Sequence, residues 1–208
     1  MKIRLEQYRL VRLPCNELGV LAAFLKFPCV YGVSGSWIKN GHGSLEERTL
    51  IIARELERKG LILAEPGGIV RMEGTFYGLL SALGHPMRLC RVCWGAEDGP
   101  ACIYLHRVRD GVITIEQDGK GGCHLGRIWD REGLLAALTE AEELPDSRKV
   151  SGGFQESWLG ALVFEKKDGF CTRLLDYAWS REPGLAEGWE RVCRVLWDGA
   201  AGGKEQDG

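Results

Sequence analysis

The segment MRLCRVCWGAEDGPACIYLHRVRDGVITIEQDGKGGCHLGRIW, from Met87 to Trp129, carries the strongest structural signal in the chain. Three Asp-Gly pairs punctuate it, at Asp98-Gly99, Asp110-Gly111 and Asp118-Gly119. Asp-Gly is preferred in tight hairpin turns, whose central residues need positive φ. The runs between are rich in β-favouring residues and read as strands over 87–95, 101–108, 112–117 and 123–129. In the third, Val112, Thr114 and Glu116 alternate with Ile113 and Ile115. That alternation predicts one buried and one wet face. An antiparallel meander at the centre of an α+β fold follows.

Helical patterns flank it. On the N-terminal side, residues 2–12 read as a strand, with Ile3 and Leu5 on one face. Pro14 then permits a helix start and Asn16 a cap, before Leu18, Leu21, Ala22 and Leu25 mark a helix over 15–27 that Pro28 ends. Residues 31–43 form a loop. Ser44-Leu-Glu-Glu47 is a capping box that opens a second helix, and Gly60 suits its left-handed C-terminal position. A short hairpin over 61–64 and 69–72 turns at Pro66-Gly67-Gly68. Phe76, Leu79, Leu80 and Leu83 mark a third helix, closed by Gly84 and Pro86.

On the C-terminal side, Asp130 caps a helix carrying Leu134, Leu135 and Leu138. Residues 145–153 are polar and contain Gly, a hinge between two halves of a single domain spanning 1–199. Residues 154–175 fit a helix or a hairpin, and both readings stay open. Leu185, Trp189, Val192, Cys193 and Leu196 make a final amphipathic helix, and 200–208 is a disordered tail.

Composition narrows the function classes. The chain has 208 residues, 45% hydrophobic and 27% charged, with 27 basic and 29 acidic side chains. Those are globular values, and they exclude a basic coat for nucleic acid over the whole surface. No apolar run reaches the ~18 residues of a membrane span. The N-terminus lacks the apolar core of a signal peptide, so a cytoplasmic location is expected. Eight cysteines then read as free thiols rather than disulfides. Cys90-Arg-Val-Cys93 is the one CxxC, but residues three apart on a strand point to opposite faces and cannot easily grip one ion.

The other motifs favour structure over chemistry. Gly32-Val-Ser-Gly-Ser36 misses the nucleophile elbow by one position. Gly41-His-Gly-Ser44 precedes a helix but lacks the P-loop lysine, and Glu46 and Glu47 stand where an anion would sit. Gly119-Lys-Gly-Gly122 leads into a strand, not the helix of a dinucleotide fingerprint. His42, His85, His106 and His124 are scattered, and Glu140, Glu142 and Glu143 read as a solvated helix face. The expectation is a non-enzymatic protein with no catalytic residue, metal or cofactor. Seven tryptophans are many for this length. Most belong in a core, and some suit interface anchoring. Trp158, with Phe154, and Trp129 are the candidate partner-binding residues.

Two functional readings come from different classes. The helix after Ser44 with its hairpin looks like the recognition helix and wing of a winged-helix transcriptional regulator with a ligand-sensing segment. From Ser44 to Gly60, however, Arg48, Arg54, Arg58 and Lys59 are offset by Glu46, Glu47, Glu55 and Glu57. Such a helix would not be drawn to phosphates, so nucleic acid is not the expected partner.

The second reading rests on element order. A strand leads to Leu-Pro-Cys-Asn-Glu-Leu-Gly-Val-Leu-Ala-Ala-Phe-Leu (13–25), then Ala-Arg-Glu-Leu-Glu-Arg-Lys-Gly-Leu (53–61), a hairpin, Phe-Tyr-Gly-Leu-Leu-Ser-Ala-Leu-Gly-His-Pro (76–86), a meander and a helix. This order resembles the EspG-type proteins associated with type VII secretion. The resemblance implies a central antiparallel sheet flanked by helices. It also implies a cytosolic chaperone or adaptor that holds a small helical secreted protein before export. It carries no binding residue over, because the family's substrate contacts lie where this chain departs. A homodimer is compatible with either reading.

Overall fold

A computed structural model describes residues 6–25, 27, 30, 32, 44–66, 69–96, 99–117, 120–139, 158–166, 172–181 and 185–199. A 3-10 turn (Glu6–Tyr8) leads into β1 (Arg9–Pro14) and α1 (Cys15–Phe24). Then come α2 (Leu45–Arg58), β2 (Ile62–Glu65), β3 (Ile69–Met72) and α3 (Gly74–Gly84). The meander is β4 (Arg88–Ala96), β5 (Gly99–Val108), β6 (Gly111–Gln117) and β7 (Gly122–Ile128). It is followed by α4 (Arg131–Thr139), β8 (Trp158–Lys166), β9 (Thr172–Arg181) and α5 (Leu185–Asp198).

The fold is α+β. One seven-stranded sheet runs in the order β1-β7-β6-β5-β4-β8-β9, and every pairing in it is antiparallel. β2 and β3 form a separate hairpin. Helices cover both faces. Leu18 and Leu21 of α1, Ile52 and Leu56 of α2, and Phe76, Leu79, Leu80 and Leu83 of α3 pack on one face, against Leu13, Ile113, Ile115, Cys123 and Leu125. Leu134 and Leu138 of α4 and Trp189, Val192, Cys193 and Leu196 of α5 pack on the other, against Cys90, Val92, Ile103, Leu105, Val112 and Val163.

This two-sided cover corrects the one-wet-face reading of β6. Val112 and Ile113 point to opposite cores, and residues 111–115 are all buried, Thr114 included. A threonine in an otherwise apolar run is no sign of solvent when a helix lies above it.

The local signals before the meander mostly hold. Ser44 and Glu47 form the capping box: Glu47 N donates to Ser44 Oγ at 3.1 Å, and Ser44 N donates to Glu47 Oε2 at 2.9 Å. Gly60 adopts φ +71°, the left-handed position expected of it. The first strand differs. It ends at Pro14 and the helix begins at Cys15, so Asn16 lies inside the first turn instead of capping it. Pro14 is tolerated there because β1 is an edge strand, with only β7 to pair with. Residues 1–5 lie outside the described residues.

The segment left open between helix and hairpin contributes strands β8 and β9, whose paired register spans Trp158↔Arg181 to Lys166↔Thr172. β8 joins the same sheet beside β4 and β9 extends it beyond β8, and α5 packs on the same core as the meander. The proposed hinge at 145–153 and the tail at 200–208 lie outside the described residues.

The cysteine expectation needs one correction. Cys93 and Cys102 lie directly opposite each other on β4 and β5 and are joined by a disulfide. Strand pairing brings them together, which sequence spacing alone does not reveal. Cys90 and Cys193 stay as thiols in the core under α4 and α5, and strand alternation puts Cys93 on the face opposite Cys90.

Candidate functional site

Of the residues singled out for partner binding, Trp129 is the one described in full. It directly follows β7 and is 65% exposed, the most exposed large apolar side chain among the described residues. It is held, not free. The Arg127 guanidinium carbon sits 3.8 Å from the centre of its ring, and Arg127 Nη2 donates to Asp110 O at 3.2 Å. Arg127 thus ties the ring to the β5–β6 turn. Such stacking contributes roughly 0.5–1 kcal/mol at an exposed site and limits the ring's freedom before a partner arrives. Trp158 lies at the start of β8, paired with Arg181. Phe154 lies outside the described residues.

Trp129 stands between two depressions. The first, of about 510 Å³, is lined by Leu10 of β1, Gly74, Thr75, Gly78 and Leu79 of α3, and the Arg127–Trp129 pair. Two features of the backbone build it. The β1–β7 register shifts between Arg9 and Val11, so Leu10 is the extra residue of a bulge. A bulge turns its side chain out of the ladder, and Leu10 is 51% exposed here. On the opposite wall, Gly74 and Gly78 lie one helical turn apart, and no atom comes within 4 Å of where a Cβ would stand on either. The groove is therefore bounded by bare α3 backbone, an exposed leucine and a clamped tryptophan. The N-terminus of α3 is already satisfied. Glu73 accepts from Thr75 N at 3.0 Å and Phe76 N at 2.7 Å, and those bonds hold its carboxyl below its usual pKa.

The second depression, of about 460 Å³, lies at the end of the sheet between the β5–β6 turn, the start of α4 and the end of α5. Its charges balance, with Arg107, Arg109 and Arg131 against Asp110, Asp130 and Glu132. Several are committed to the fold. Arg107 stacks 4.2 Å from the centre of the Trp197 ring, and its Nη1 donates to the carbonyls of Val108, Arg109 and Gly111. Burial, and then neighbouring Arg88, lower the pKa of Arg107. Asp130 caps α4 as expected, accepting from Gly133 N at 2.6 Å. This depression suits a polar rim better than an anion site.

The described histidines form no metal-binding group with their neighbours. His106 is buried opposite Leu89 and Ile113, on the face of α1 to α3. His124 stands opposite Arg12 and Glu116 on the other face, two strands away. His85 follows α3, with its ring 6.3 Å from Phe27. Among the described residues, no three His, Cys, Asp or Glu side chains come together as a metal site. His42 and Glu140, Glu142 and Glu143 lie outside them.

Sequence reading missed Leu10, Gly74, Gly78 and Arg127. The Gly-x-x-x-Gly spacing of 74 and 78 was a signal for a close-approach face. The bulge at Leu10 had none. No protein-family model matches the chain, and comparison with curated proteins gives no match. Among the described residues, no helix is long and apolar enough to cross a membrane.

Proposed function

We propose that this protein acts by binding another protein, and that Trp129 and the groove beside it receive an apolar helix face of that partner. The observation that carries this reading is the exposed Trp129, preset by Arg127 and flanked by bare α3 backbone. A tryptophan held in one orientation is a good interface anchor, because little freedom is lost on binding. Small residues at helical spacing let a second helix approach closely. The partner is a small helical protein that offers anchors at i, i+3 or i+4 spacing. A cytosolic chaperone or adaptor role in export, as the EspG-type resemblance implies, is the specific form proposed.

The winged-helix alternative fares less well on the exposed side of α2. Glu46, Glu47, Leu50, Ile51 and Arg54 are all exposed there, a mixed surface that does not match a phosphate backbone.

The test is an affinity capture from nuclease-treated native lysate with wild type, Trp129→Ala and Gly78→Leu. The expected result is a small helical protein in stoichiometric amount, retained by wild type and lost from both variants. Retention equal in all three overturns the site. Nothing retained, with salt-sensitive nucleic acid in untreated lysate, favours the regulator instead.

A further inference from the structure

α2 carries a second unpartnered surface, on a different element from the groove. Its inner side is settled by Ile52 and Leu56, both buried. Its outer side presents Glu47, Leu50, Ile51, Arg54 and Arg58, spaced three and four apart so that they form one stripe along the helix. Leu50 is 62% exposed and Ile51 61%, a neighbouring apolar pair at the middle of that stripe. Acid lies toward the N-terminal end and base toward the C-terminal end. Among the described residues Arg54 makes no ion pair, while Arg58 is held by Glu55, with Nη2 at 2.7 Å from Oε2.

That order of charges is self-complementary. A two-fold axis midway between Leu50 and Ile51 lies equally far from Glu47 and Arg54, three positions beyond Leu50 and Ile51 respectively. In an antiparallel pair of α2 helices, Glu47 of one copy then faces Arg54 of the other, twice over, around a centre of two leucines and two isoleucines. A parallel pair would set Glu47 against Glu47 and Arg54 against Arg54, which costs energy. A two-fold contact uses the same patch on both copies and closes on itself.

We propose that α2 is a homodimer interface, pairing antiparallel with α2 of a second copy of this chain. The inference is independent of the Trp129 groove. One helix of 14 residues is about 21 Å long, a short contact, so weak association is expected.

Sedimentation velocity on the full chain from about 1 to about 300 μM tests it, the span a small interface requires. Wild type is expected to rise with concentration from 23.1 kDa toward twice that mass. Arg54→Glu alone and Glu47→Arg alone should each weaken association at least tenfold. An equimolar mixture of the two should associate again, since each copy supplies the charge the other lacks. The mixture matters because Glu47 also belongs to the capping box. A helix merely damaged at its start would not be rescued by a second variant. A wild type that stays at one chain's mass throughout overturns the proposal. So does Arg54→Glu associating as wild type does, or a mixture that fails to recover.

Discussion

The two faces of the sheet are covered by helices but closed to different degrees. Under α4 and α5 the layer is dry. Trp189 has no exposure, and Cys90 and Cys193 lie beside it as thiols. The end of α5 is also sealed: Arg88 Nη1 donates to the carbonyls of Leu196 and Trp197 at 3.2 and 2.7 Å, and Gly199 turns the chain at φ +92°. Under α1 to α3 the core also encloses His106, and it stops short of the sheet edge, where Leu10 and Trp129 stand in the open. The difference teaches where to look for function. A closed layer holds the fold together, and the unfinished edge of the other layer is the part with surface to offer.

The contrast breaks most sharply at Trp189. Trp189→Ala should destabilise the protein by about 3–5 kcal/mol in urea unfolding, because a fully buried ring leaves a cavity that helices on a sheet refill poorly. Trp189→Phe should cost much less. The indole N–H finds no acceptor among the described residues, so its removal loses packing but no hydrogen bond.

The disulfide comes next. Cys102→Ala, or reduction of the Cys93–Cys102 bond, should cost about 2 kcal/mol, since the loop closed between strands already paired is short. Mass mapping of the unreduced protein should find those two cysteines linked and neither joined to Cys90.

The dry layer should also show itself in pH. Burial pushes the Cys193 thiol up to about 12, and it raises that of Cys90 further, with Cys193 and Asp176 adding to the effect. Between the ordinary thiol pKa near 9 and about 12, the unfolded chain loses these protons while the folded chain keeps them. Stability is therefore full below pH 9 and falls as pH rises, by at most about 1.4 kcal/mol per pH unit for each thiol. Urea midpoints measured across that window should show the decline, and Cys193→Ala should roughly halve its slope, since Cys90 still titrates. Native protein should resist alkylation at both sites.

The smallest effect on stability should come from the open edge. Trp129→Ala should cost at most about 1 kcal/mol of unfolding free energy, the stacking with Arg127 that it loses. It should nonetheless weaken partner binding by at least about 2 kcal/mol. A large loss of stability would mean that Trp129 belongs to the core and not to an interface.

Sequence alone determined the parts governed by local chemistry. The Asp-Gly turns delimit strands that the structure places within two residues of their expected ends. Ser44, Gly60 and Asp130 punctuate helices through bonds to their own near neighbours, which a linear reading can see.

Tertiary structure alone decided what depends on a partner far along the chain. It made strands of 158–166 and 172–181, because β4 had a free edge for β8 to pair with. It buried both sides of β6, because helices distant in sequence came to rest on each. It joined Cys93 to Cys102 through strand register, and it turned Leu10 outward by one extra residue in β1. Composition and spacing left the first of these open between two readings and were silent on the rest, since each is fixed by which surfaces meet and not by what a residue prefers by itself.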